Sequence, residues 1–137
     1  MKYMRILLLG LVIVTCLLGV SCQPADSESV LLQGAVTIGP ITPVEKPGEN
    51  PIVAPEVFST RKIMIYNGDG KRLIREVAIT QIGQGATGYY TAQIAPGTYT
   101  IDINRVGIDH ADGLPKKISP VADETVTIDV NIDTGIR

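Results

Sequence analysis

Along most of this chain, apolar and polar residues alternate with a period of two. QGAVTIG (residues 33–39) sets Val36 and Ile38 on one side, and RKIMIYN (61–67) does the same with Ile63 and Ile65. YYTAQI (89–94) aligns Tyr90, Ala92 and Ile94, and TYTIDI (98–103) aligns Tyr99, Ile101 and Ile103. The longest alternation is ETVTIDVNID (124–133), with Val126, Ile128, Val130 and Ile132 on one face. Successive side chains of a strand point to opposite faces, so each segment predicts a strand with one buried face. Residues 72–82 predict another, with Leu73, Val77 and Ile79 inward; Arg75 interrupts that set and belongs near a sheet edge. PKKIS (115–119) predicts a short one, and no stretch has helical period. The expectation is an all-β fold, an antiparallel two-sheet sandwich of about seven strands with the alternating apolar sets pressed together.

The segments between these strands carry turn chemistry. NGDG (67–70) is a hairpin signal because Gly and Asn tolerate positive φ. APGT (95–98) turns around Pro96-Gly97, and residues 107–115, GIDHADGLP, read as a loop. Residues 40–55 hold five prolines, Pro40, Pro43, Pro47, Pro51 and Pro55. Proline lacks the N–H that a ladder needs and fixes φ, so an extended, non-sheet connection from one sheet to the other is expected there. Pro40-Ile41-Thr42-Pro43 also fits P-x-x-P, which makes these five prolines a candidate binding loop beside the plainer reading of a connection.

Composition narrows the classes. The chain has 137 residues, 45% hydrophobic and 19% charged, enough for one packed domain. Aromatics are 4% with no Trp, so Val, Ile, Leu and Tyr must build the core. The net charge is −2, with Lys2 and Arg5 in the first five residues, and no basic cluster exceeds Lys71-Arg72 or Lys116-Lys117. The electrostatic footprint of nucleic-acid binding is therefore missing. The two cysteines are Cys16 and Cys22, so the region after them can hold no internal disulfide and no thiolate metal site.

GQGATG (83–88) has the spacing of a dinucleotide-binding loop. Such a loop needs a helix directly after it, because the pyrophosphate rests on that helix's free N–H groups. Here the following YYTAQIAPG has period two, and Pro96-Gly97 would end any helix early. The glycines are expected to reverse the chain between two strands, and no cofactor site is expected. His110 is the only histidine and stands between Asp109 and Asp112. A metal or relay reading of Asp109, His110 and Asp112 competes with a plain polar loop; the spacing lacks the calcium-loop pattern, and zinc needs three or four ligands. A Lys–Asn isopeptide staple between Lys62 and Asn131 is disfavoured by parity, since both alternate to the solvent side.

Two resemblances add to this reading. MKYMRILLLGLVIVTCLLGVSC has two early positive charges, an apolar run over residues 6–20, then Ser21-Cys22 and the polar QPADSES. The run of about 15 residues fits a secretory h-region, whereas a spanning helix needs about 20. The arrangement resembles a bacterial lipoprotein signal. That resemblance implies cleavage after residue 21, lipidation of Cys22 and a flexible tether to residue 32 ahead of a domain over 33–137. It also implies an extracytoplasmic protein held to the cell membrane or outer membrane. GAVTIGPITPV, VFSTRKIMIYNGDGKRL and GYYTAQIAPGTYTIDI resemble the carboxypeptidase regulatory-like domains, which are transthyretin-like sandwiches. Gly88, Tyr89 and Tyr90, the Pro96-Gly97 turn and Tyr99 carry the likeness, which implies an accessory or adhesion-type module without catalysis. The expected role is binding or structure at the envelope, with an envelope protein or glycan as partner. The alternative is a small secreted enzyme or enzyme inhibitor using residues 109–113.

Overall fold

The alternating segments form strands whose inward sets meet in one core. A computed structural model describes residues 28–43, 48 and 50–137. In chain order the elements are β1 (Val30–Gly39), α1 (Pro55–Ser59), β2 (Lys62–Asn67), β3 (Leu73–Ala78), β4 (Thr80–Gln81) and β5 (Thr87–Ile94). Then follow β6 (Tyr99–Ile103), β7 (His110–Ala111), β8 (Lys116–Ile118), β9 (Thr125–Thr127) and β10 (Val130–Asp133). Sheet A has the order β4-β5-β1-β10-β7, with β9 also paired to β1; sheet B has the order β3-β2-β6-β8. Leu32, Val36, Ile38, Tyr90, Ala92, Ile128, Val130 and Ile132 from sheet A pack in one buried cluster with Ile63, Ile65, Ile101 and Ile103 from sheet B. Fully burying a side chain of this size contributes about 1.5–3 kcal/mol. The fold is thus an all-β two-sheet sandwich.

Several expectations are corrected in detail. The described residues hold ten strands rather than about seven. Residues 72–82 split because the chain leaves the edge of sheet B as β3 and joins the edge of sheet A as β4, with buried Ile79 at the corner. Residues 124–133 split into β9 and β10, and the expected loop over 107–115 contributes β7. The sandwich is not purely antiparallel, because β9 and β10 both run parallel to β1. β1 begins at Val30, which is fully buried and pairs with Ile94, so the first strand starts ahead of residue 33. Leu73 is 42% exposed instead of inward. The cause is a register shift between Ile65 and Tyr66, which pairs Tyr66 with Leu73 after Ile65 with Arg75 and so turns Leu73 to the other face.

The proline-rich connection does cross from sheet A to sheet B, and it ends in a helix that no periodicity announced. α1 is only five residues long, too short to show a 3.6-residue pattern. Pro55 opens it with φ already set, and the Thr60 hydroxyl donates to the Glu56 carbonyl at 2.9 Å to close its end. Its buried Phe58 covers the end of the core against Gly88.

Both sides of the sandwich are closed by chain that passes between sheets, β3 to β4 on one and β7 to β8 on the other. Beyond the reach of β4, the Arg75 Nη1 donates to the Gln93 carbonyl of β5 at 3.0 Å. The residue that broke the alternation therefore satisfies an edge acceptor, one way in which open edges are protected from further pairing.

The middle of sheet A has an irregularity with a defined cause. Gly34 of β1 lies opposite Tyr90, whose side chain passes beneath it and donates its hydroxyl to the Ile128 carbonyl at 2.8 Å. On the other side of the same gap the Asp129 Oδ1 accepts the Ala35 N–H at 2.9 Å. A phenol and a carboxylate thus stand in for ladder bonds of β1 in the gap between β9 and β10. Burial first, and the Asp129 charge second, raise the Tyr90 phenol far above its ordinary value of 10.0. Tyr90→Phe leaves the Ile128 carbonyl unpaired and is expected to cost about 1–3 kcal/mol at neutral pH. Above about pH 10 the unfolded chain releases this proton while the folded one retains it, so wild-type stability falls with rising pH. In urea titrations at pH 7 and above pH 10, the gap between wild type and Tyr90→Phe should therefore narrow at the higher pH.

Candidate functional site

The concavities of the described surface include two of similar size. The first, about 350 Å³, opens where the 40–43, 106–109 and 134–136 segments converge, with Ile41, Val57, Val106, Ile108 and Ile136 among its walls. Arg61 and Asp109 lie at its base. Arg61 Nε donates to Asp109 Oδ2 at 2.7 Å and Nη2 to Oδ1 at 3.0 Å, while Nη1 donates to the Val57 carbonyl at 2.9 Å. The side chains are 10% and 1% exposed. Arg105 Nη1 adds a long contact to the Asp109 carbonyl at 3.4 Å. Both Asp109 oxygens are therefore committed, and the pair fixes the 106–109 loop against the start of β2.

The C-terminal segment forms the opposite wall. The Thr134 N–H donates to the Gly39 carbonyl at 3.1 Å, and the Thr134 hydroxyl donates to the Pro40 carbonyl. Gly135 has φ +72°, and a Cβ there would meet the Ile108 side chain at 2.3 Å. Asp133 accepts from the Gly135 N–H at 2.8 Å and from Arg137 at 2.9 Å. The Arg137 bond, then the Gly135 N–H, bring the Asp133 carboxyl down to about 2, with the facing His110 adding a smaller pull.

The sequence grouped Asp109, His110 and Asp112, and the structure divides them. Asp109 turns into the protein, whereas His110 and Asp112 stand outside, with Nε2 and Oδ1 3.0 Å apart and side chains 62% and 94% exposed. Alternation along β7 turns Ala111 inward and His110 outward, and the bonds to Arg61 draw Asp109 into the protein. Among the described residues no three His, Cys, Asp or Glu side chains gather as a metal site. Of the prolines, Pro40 and Pro51 are half-buried, Pro43 and Pro55 are exposed, and Pro47 lies outside the described residues, as does Cys22. Ile41 rather than a proline enters the cleft wall.

GQGATG forms the tip of the β4–β5 hairpin. Gly83 has φ +63°, the Ile82 N–H donates to the Thr87 carbonyl at 2.8 Å, and Gly88 is already within β5. The Gln84 carbonyl accepts the Val53 N–H at 2.8 Å, so the loop anchors the proline-rich connection. Lys62 pairs with Glu76 at 2.7 Å on sheet B, and Asn131 is exposed on sheet A, so an isopeptide bond has no geometry here.

The second concavity is a shallow groove of about 400 Å³ on the outer face of sheet A, around Gln33, Ala35, Tyr89, Thr91, Thr127 and Asp129. Sequence reading left these residues as surface. The one legible sign was Tyr89, an outward aromatic in the alternation of β5. Neither Arg61 as the partner of Asp109 nor Asp129 as a gap-filler was legible, because both partners lie far away in sequence.

No family model and no curated protein matches the chain. Among solved structures, a DUF3823 family protein from Parabacteroides merdae ATCC 43184 is similar at a TM-score of 0.41 and 16% identity. That likeness covers 78% of this chain and 47% of the other, so the chain spans about half the length of that protein.

Proposed function

We propose that this protein is a lipid-anchored, extracytoplasmic sandwich module with a non-catalytic binding or structural role at the cell envelope. One observation carries the reading: the charged start, the apolar run over residues 6–20 and Cys22 stand only eight residues ahead of Val30, the first buried residue of β1. Eight extended residues reach at most about 28 Å. Acyl chains on Cys22 would therefore hold the sandwich within a short distance of the bilayer, and two or more chains anchor firmly where one does not. The transthyretin-like, carboxypeptidase regulatory-like character belongs to the same proposal. In its support, Tyr99 donates its hydroxyl to the Ala95 carbonyl at 2.8 Å, closing the Pro96-Gly97 turn that carries the resemblance. The committed Asp109 and the exposed His110–Asp112 pair favour binding over catalysis at residues 109–113.

The anchor is tested by growing a bacterial host expressing the full chain with an alkyne-tagged fatty acid. Wild type should carry the tag and sediment with membranes, and Cys22→Ser should lose the tag and the lipid-dependent attachment. An untagged wild type, or equal tagging of Cys22→Ser, overturns the proposal.

A further inference from the structure

We propose that the groove on the outer face of sheet A binds a neutral carbohydrate chain. Strand register arranges its side chains in two rows. Thr91, Gln33 and Thr127 form one, from the pairings of β1 with β5 and β9. Tyr89, Ala35 and Asp129 form the other, tied by the Ala35–Tyr89 pairing and the Ala35 N–H to Asp129 bond. With strands about 4.8 Å apart and same-face residues about 6.7 Å apart along each strand, the array measures roughly 10 by 7 Å. That is the scale of one or two sugar rings. Ala35 is the small member between a phenol ring and a carboxylate, which makes the middle a trough.

The chemistry of the lining selects the occupant. A pyranose offers a C–H face and a rim of hydroxyls. Tyr89, 46% exposed, presents an aromatic face whose negative quadrupole attracts C–H groups. Asp129 accepts only, and hydroxyl donors to a carboxylate form strong, short bonds. Gln33 both donates and accepts, and Thr91 and Thr127 supply hydroxyls. Other occupants fit worse. β1 is an interior strand of sheet A, and where β5 runs beyond β4 the Arg75 guanidinium already holds the Gln93 carbonyl, so little strand edge is open to an extended peptide. No Lys or Arg lines the groove to meet a phosphate or sulfate.

This inference deepens the binding role proposed above by naming its ligand class, yet it does not depend on the anchor. The test is calorimetric titration of the full chain, held in a detergent without a sugar headgroup. The probes are hexasaccharides of α-1,4-glucose, β-1,4-glucose, xylose, mannose and N-acetylglucosamine. Saturable binding to at least one is expected. Tyr89→Ala should weaken it about tenfold, the loss of one aromatic contact, while Tyr89→Phe stays within about threefold. Asp129→Asn keeps an acceptor for the Ala35 N–H and should weaken binding by roughly fivefold through loss of the charge. Ile74→Ala, on sheet B, should change nothing. Binding to none of the five, or binding unaltered in Tyr89→Ala, overturns the inference. A chain that binds sugar but carries no lipid would overturn the anchor and leave the groove standing.

Discussion

Replacing Asp109 by alanine lowers the stability of the folded chain by about 3–5 kcal/mol, the usual cost of stranding a buried partner charge. The guanidinium of Arg61 loses both carboxylate bonds and keeps only the Val57 carbonyl, in a site where its side chain is 10% exposed. Only a small part of the Arg61 side chain meets the solvent of the cleft, so the charge remains underpaired. The pair itself contributes far less than its removal costs, because burying two ions consumes most of their attraction. The double variant Arg61→Met/Asp109→Leu is therefore expected to recover most of the loss. Urea unfolding of wild type, Arg61→Met, Asp109→Leu and the double variant, followed by circular dichroism, measures the four corners of the cycle, with Asp109→Ala beside them. Asp109→Ala within about 1 kcal/mol of wild type would contradict the buried pair. His110→Ala removes a side chain that is largely exposed and pairs with the exposed Asp112 carboxylate, and it should stay within about 0.5 kcal/mol.

Gly34→Ala is the second large effect. A Cβ at Gly34 would lie 1.9 Å from the Ile128 carbonyl oxygen and 2.9 Å from the Tyr90 ring. The first of these neighbours is backbone, held between β9 and β10, and it accepts the Tyr90 hydroxyl. Relief requires β1 to move away from the β9–β10 segment, which disturbs the parallel ladder, or requires Tyr90 to leave its acceptor. Overpacking of this kind costs about 1–3 kcal/mol, and the lost hydrogen bond adds about 1–3 more. Gly83→Ala is the control that separates space from conformation. Gly83 has φ +63° with nothing within 4 Å of an added Cβ, so it pays only the left-handed backbone cost of about 1–2 kcal/mol. The expected order is wild type, then Gly83→Ala, then Gly34→Ala. A Gly34→Ala protein as stable as the Gly83→Ala protein would mean that the passage beneath Gly34 is not filled as described.

The groove and the cleft differed in how far they could be read from residues alone. Tyr89 stands out in the β5 alternation as an aromatic on the solvent side. Its neighbours in the array come from β1 and from either side of the β9–β10 gap, and no local spacing joins them. Asp109 and His110 looked equivalent as adjacent polar residues, yet one is buried and the other exposed. A partner 48 residues away decides which is which. Arg75 was legible as an edge residue because it broke an apolar set; its acceptor, the Gln93 carbonyl, was not.

What the sequence determined by itself was the facing of the side chains. Val36, Ile38, Ile63, Ile65, Tyr90, Ile101, Ile128 and Ile132 are all buried as their alternation predicts, because a period of two is a property of one strand and needs no partner. Strand partners, sheet membership and ladder direction are relations between segments far apart in the chain. The tertiary structure alone therefore set β9 and β10 parallel to β1, carried residues 72–82 from one sheet to the other, and flipped Leu73 at a bulge. The same long-range pairing brought Arg61 to Asp109 and drew three separate segments, 33–35, 89–91 and 127–129, into one groove.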